Sequence, residues 1–122
     1  MTASPPPVEA GPELAFEAHI LTSLSEVKAE AWDACVPDRH PFVRHAFLSA
    51  LEESGSATPE RGWLGQHVVL KDSQDTILGA VPMYLKNHSQ GEYVFDHGWA
   101  DAFERAGGRY YPKMQVSVPF TP

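Results

Sequence analysis

Asp96 and His97 stand side by side just ahead of the apolar repeat Trp99, Ala102, Phe103 and Ala106. An imidazole beside a carboxylate suits proton transfer, because histidine titrates near neutrality. The pair also has a plainer use, with Asp96 capping a helix that begins there and His97 orienting the turn. Further on, Arg109-Tyr110-Tyr111-Pro112-Lys113 has the character of a binding segment. Arginine holds a carboxylate or phosphate with two parallel hydrogen bonds, and tyrosine offers a flat face with a polar tip. The same tyrosines pack equally well into a core with their hydroxyls satisfied. The sequence thus offers Asp96 and His97 as catalytic candidates, and Arg109, Tyr110, Tyr111 and Lys113 as substrate-binding ones. Glu92 and Glu104 read as solvated carboxylates.

Six histidines invite a metal reading. His40 and His45 are five apart, His88 and His97 nine apart, and neither spacing matches HExxH or a zinc ribbon. Cys35 is the one cysteine, so there is no sulfur framework and no intrachain disulfide, which fits a reducing compartment. It falls on the apolar side of an expected helix, as a small buried filler. No metal site is read. Neither a nucleophile elbow, a P-loop nor a dinucleotide fingerprint occurs.

The surrounding chain is acidic, with a formal charge of −7 over 122 residues. That argues against nucleic-acid binding and against docking on anionic lipid. An apolar fraction of 43% with 20% charged residues describes a globular chain with a core. No run reaches transmembrane length. Residues 1–13 are Pro-rich and acidic, a flexible lead-in without the basic start or apolar core of a secretory signal. The expected location is cytoplasmic.

The elements that must position the candidates follow from periodicity. Leu14, Phe16, Ala18 and Ile20 alternate with Ala15, Glu17 and His19, giving a strand whose apolar face is buried. Ser23 and Glu26 have capping-box spacing ahead of a helix with the stripe Leu24, Val27, Ala31, Ala34 and Cys35. A second helix covers residues 46–54, capped by Gly55. Strands follow over residues 66–71 and 76–86, with Pro82 at an edge or bulge. A short extended piece spans residues 93–95. The helix carrying Trp99 and Phe103 on its buried stripe then ends at Gly107-Gly108, and a last strand runs from Lys113 to Val118. The order β-α-α-β-β-(β)-α-β gives an α/β (α+β) class with a mixed sheet flanked by helices.

The block DHGWADAFERAGGRYYPKMQVSVPFTP, preceded by PMYLKNHSQGEYVFD and HPFVRHAFLSALEESG, resembles a bacterial family of N-acyltransferases related to the Fem-type peptidoglycan peptidyltransferases. The resemblance runs from about Pro41 to Pro122 and is most specific over residues 93–122. It implies a GNAT-like fold and transfer of an acyl or aminoacyl group to an amine on a small molecule or peptide. Acyl-coenzyme A or aminoacyl-tRNA is the donor such an intact protein would use. Family members are longer, and a GNAT-type donor loop is a glycine-rich turn opening a helix after the central strand. Here that strand runs into PFTP, and Gly107-Gly108 precedes it. Residues 14–122 are therefore expected to form the N-terminal portion of an incomplete domain, with no cofactor of its own and a sheet edge open to self-association. The other reading is a non-catalytic binding or interaction module, or an inactive truncated fragment.

Overall fold

The computed structural model describes residues 15–37 and 40–120. The expected lead-in, together with Leu14, lies outside them. Six strands and three helices follow in the order β1 (Glu17–Leu21), α1 (Ala29–Asp33), α2 (His45–Glu53), β2 (Trp63–Gly65), β3 (His67–Lys71), β4 (Ile77–Val81), β5 (Met83–Lys86), α3 (His97–Arg105) and β6 (Lys113–Val116). The mixed α/β content expected from the sequence is present.

Pro82 decides the sheet topology. Its ring leaves no donor for the ladder, so the expected strand over residues 76–86 is divided into β4 and β5. Two three-stranded sheets result, ordered β1-β3-β4 and β2-β5-β6, and every pairing is antiparallel. The expectation of one mixed sheet is corrected accordingly. The two sheets nonetheless share a register, with Trp63 opposite Lys86 and Val68 opposite Val81. Gln66 N donates to Met83 O at 2.8 Å across the gap. Residues 63–71 and 77–86 are in effect one long hairpin, flanked by β1 on one strand and β6 on the other.

One face of this hairpin is buried. Trp63, His67 and Val69 point inward from β2 and β3, and Tyr84 and Lys86 from β5. Leu21, Leu24, Trp32, Leu48 and Val69 form the larger core cluster beneath α1 and α2. In β1 the alternation is as expected but the covered face is the other one. Leu21 is buried, whereas Phe16 and Ile20 are 46% and 52% exposed.

The helix expected from Ser23 is also divided. Leu24–Glu26 is a single 3-10 turn, Val27 is extended, and α1 begins only at Ala29. Ser23 accepts from Ser25 N, but Glu26 turns back to Thr22, accepting from its N and Oγ1 at 3.2 and 2.8 Å. The capping box is therefore not closed on Ser23. Glu52 of α2 holds the turn instead, accepting from Ser23 Oγ at 2.8 Å and from Leu24 N at 3.1 Å. α2 itself ends as expected, at Gly55 with φ of 81°.

Glu52 also accepts from Nε2 of the fully buried His67 at 3.2 Å, and His67 Nδ1 accepts from Met83 N at 3.3 Å. That pattern places the imidazole proton on Nε2. One carboxylate thus ties the 3-10 turn, α2 and the hairpin together. Glu52→Ala strands the Leu24 and His67 donors and is expected to cost about 2–3 kcal/mol by urea denaturation; an unchanged midpoint would remove this role. Burial pushes the Glu52 pKa up, but bonds from His67, Ser23 and Leu24 outweigh it and hold the carboxyl below its ordinary value. A carboxyl with a depressed folded pKa stabilises fully above the unfolded value of about 4.3 and progressively less as pH falls through the folded one. The Glu52→Ala protein should therefore lose less stability on acidification than the wild type.

Candidate functional site

Lys86 on β5 and Lys113 on β6 are direct cross-strand partners on the buried face. Like charges placed opposite each other repel, and burial sharpens the problem. The segment between β5 and α3 resolves it by bringing Glu92 between them. Glu92 Oε2 lies 2.5 Å from Lys86 Nζ and 2.7 Å from Lys113 Nζ. Lys86 Nζ also donates to Gln90 O at 2.8 Å and sits 3.7 Å over the Trp63 ring centroid. Burial lowers the Lys86 pKa, with Glu92 partly restoring it.

Lys113 extends the network toward α3. Its Nζ donates to Asp96 Oδ2 at 2.6 Å and to Ser89 Oγ at 3.0 Å. Tyr110 donates its hydroxyl to the same Asp96 oxygen. Ser89 Oγ and the Tyr111 hydroxyl share a 2.5 Å hydrogen bond. Burial acts to raise the Asp96 pKa, but the hydrogen bonds from Lys113 and Tyr110 and the Lys113 charge hold it well below the usual carboxylate range. The bond to Asp96 pushes the Tyr110 pKa up to about 12.

Asp96 does occupy the N-cap position of α3, yet it makes no side-chain cap bond. The capping role expected of it is corrected, because Lys113 and Tyr110 take its carboxylate. Its Oδ1 is shut away from solvent and has no partner. Alongside lies a cavity of about 470 Å³ whose polar lining includes Glu92, Asp96, Gln115 and Ser117, with Val94, Val116, Val118 and Phe120 on its apolar walls.

Of the sequence candidates, the structure brings together Asp96, Tyr110, Tyr111 and Lys113. His97 is exposed and its ring stacks on Phe95, with centroids 5.7 Å apart. It makes no hydrogen bond to Asp96 among the described residues. Arg109 is likewise exposed and outside the cluster. The solvated reading of Glu92 is overturned, since its side chain is 1% exposed. Nothing beside them in sequence marks Lys86 or Ser89 as members of this cluster. A signal existed: Lys86 shares the strand parity of Tyr84, and a charge on a buried parity requires a partner nearby.

Two further expectations change here. Residues 93–95 form no strand, and the Tyr93 and Phe120 rings lie 5.3 Å apart. The α3 stripe is not core, for Trp99 is 77% and Phe103 51% exposed, with only Ala100 buried. The helix does end as expected. Gly107 has φ of 91°, its N donates to Glu104 O, and Gly108 N donates to Phe103 O.

A family model for FemAB-like proteins, described by peptidoglycan biosynthesis/recognition, matches residues 23–122. The chain belongs to the FemAB-like family. No curated protein and no solved structure matches it. The FemAB-like region takes in the whole cluster from Trp63 to Lys113, as well as the Glu52 latch and α1 and α2. Among the described residues, no helix of this FemAB-like chain is long and apolar enough to cross a membrane.

Proposed function

We propose that this chain serves the transfer of an acyl or aminoacyl group onto an amine in peptidoglycan metabolism, on a GNAT-like scaffold, and that the cavity beside Asp96 receives the amine acceptor. The observation that carries this reading is the unpartnered Oδ1 of Asp96, a residue that lines the cavity together with Glu92, Gln115 and Ser117. That oxygen is closed off from solvent, so an amine that displaces its cover would supply the missing donor, and a buried acceptor without a donor is costly. Lys113 is already neutralised by Glu92 and Asp96. With Lys86 and Lys113 balanced by Glu92 and Asp96, the cluster opposes no net positive charge to an incoming amine. Tyr110 and Tyr111 shape the wall through their bonds to Asp96 and Ser89.

Asp96 holds the amine rather than taking its proton, because its low pKa makes it a weak base at neutral pH. His97, next to it on α3, is assigned that step, and Arg109, exposed and outside the cluster, is assigned to an anionic group. The donor, acyl-coenzyme A or aminoacyl-tRNA, is assigned no residues in this chain.

A second reading, recognition without turnover, has its own support. Asp96 and Tyr110 are both displaced from neutrality, in opposite directions, which suits fixed binding better than proton movement. Calorimetry with a peptidoglycan-type peptide bearing a free primary amine tests both readings. The wild type should bind it at least tenfold more tightly than its N-acetylated form, and Asp96→Ala should abolish the difference. Equal affinity for the two peptides would remove the acceptor site. Product formation with either donor, lost in His97→Ala, separates transfer from recognition.

A further inference from the structure

The cavity beside Asp96 has two walls of different origin. Glu92 and Asp96 come from the segment between β5 and α3, whereas Gln115 lies on β6 and Ser117 just beyond it. Phe120 N donates to Gly91 O at 2.8 Å and ties the two walls together. Among the described residues, no lysine, arginine or histidine lines this cavity.

The lysines of the neighbouring cluster are already committed. An ammonium has three N–H donors, and those of Lys113 go to Glu92, Asp96 and Ser89. Lys86 is engaged by Glu92, Gln90 O and the Trp63 face. Gln115 Nε2 donates to Ser117 Oγ at 2.9 Å. The side-chain donors left on the lining are therefore neutral: one amide proton of Gln115 and the hydroxyls of Ser117 and Tyr93.

This inventory treats an amine and an acid differently. An ammonium on an aliphatic stem meets carboxylate oxygens and the apolar walls at Val94, Val118 and Phe120. A carboxylate entering beside it exchanges water for neutral donors and finds no opposite charge, which is costly. The lysines balance Glu92 and Asp96 in charge, so the difference arises from the partners within hydrogen-bond reach and not from a net field.

We propose that this cavity selects among amines by what stands beside the nitrogen. It takes a primary amine whose carbon carries hydrogen or an uncharged group, and it rejects one whose carbon carries a free carboxylate. Gln115 and Ser117 are the specificity-determining residues, because they occupy the wall where a cation would have to stand to hold the acid. The proposal rests on the acceptor reading above and narrows it to amines outside a zwitterionic head group.

Calorimetry at neutral pH on the 122-residue chain provides the test. The probes are peptides of one sequence whose side-chain amine sits on a carbon bearing either a carboxamide or a free carboxylate, with the N-acetylated carboxamide peptide as the control. The carboxamide form should bind about tenfold or more tightly than the carboxylate form, the scale of one missing charged partner. Ser117→Lys and Gln115→Lys each bring a cation to the lining and should tighten the carboxylate form by about tenfold. Circular dichroism identifies the folded variants, and Ser117→Lys, outside β6, keeps the test available where Gln115→Lys fails to fold. Equal binding of the two forms, lost on N-acetylation, overturns the selection while the acceptor reading stands. Binding that survives N-acetylation, or no binding at all, removes both. A preference that the folded lysine variants leave unchanged overturns the role given to this wall.

Discussion

Glu92→Ala should cost the fold about 3–5 kcal/mol, because it leaves two buried ammonium groups facing each other without their shared counter-charge. Lys86 is fully buried and is the direct cross-strand partner of Lys113. Glu92 is the carboxylate that reaches both. With Glu92 gone, Lys113 retains Asp96, but Lys86 keeps only Gln90 O and the Trp63 face. A loss of this size is a large part of the 5–15 kcal/mol that typically holds a domain together. Glu92→Gln should also be strongly destabilising, since the amide preserves shape and not charge. Removing the charge from both sides distinguishes a counter-ion from a packing role. Lys86→Met with Glu92→Leu leaves Lys113 paired to Asp96 and should recover most of the stability, as apolar replacement of buried ion pairs often does. Urea midpoints at constant slope measure all three proteins. A Glu92→Ala loss below about 1 kcal/mol would mean that the lysines are not held charged in the fold.

The contrast between Glu92 and Asp96 explains how much of the site was legible in the sequence. Asp96, Tyr110, Tyr111 and Lys113 stand out in the sequence because unusual residue types crowd one stretch of chain. Glu92 reads as solvent-exposed because nothing within a few residues of it demands a carboxylate. Its reason for being there is Lys86, which is close in sequence, and Lys113, which is brought close only by the β5–β6 pairing. The fold divides in the same way. Local signals worked where one residue controls the backbone, as at Gly55 and Gly107. They failed where the outcome depends on which apolar face finds a cover. β1 and α3 each show correct periodicity, yet Ile20, Trp99 and Phe103 are exposed. Period-two and helical patterns say that a face is apolar, while burial depends on what packs against it, and that is tertiary information.

Asp96 shows how this bears on mechanism. At an N-terminal turn an aspartate is explained completely by capping, and no local argument favours another use. Tertiary pairing with Lys113 removes it from that task and fixes it as a permanent anion. A carboxylate so strongly stabilised in the charged form is a good electrostatic anchor and a poor proton acceptor. The proposed division of labour, Asp96 for holding the amine and another group for its proton, follows from that contrast.

Trp63→Ala should be comparable to Glu92→Ala, at about 3–5 kcal/mol, though by a different route. Trp63 is 1% exposed and packs edge-to-face on Tyr84 with ring centroids 5.1 Å apart. With Ala57 and Tyr84 it makes the smaller core cluster, so its removal leaves a cavity that the short strand β2 cannot collapse to fill. It also removes the aromatic face beneath Lys86 Nζ, and a desolvated cation–π contact contributes about 2 kcal/mol. Trp63→Phe retains a ring for the ammonium and should recover more than half of the loss. Because Trp63 and Glu92 both act on Lys86, their effects should not add. A double-mutant cycle should give a coupling of about 1–3 kcal/mol, within the range for residues sharing one network. Strict additivity would show that Trp63 acts only by filling space and that the charge of Lys86 is held by its carboxylate and carbonyl partners alone.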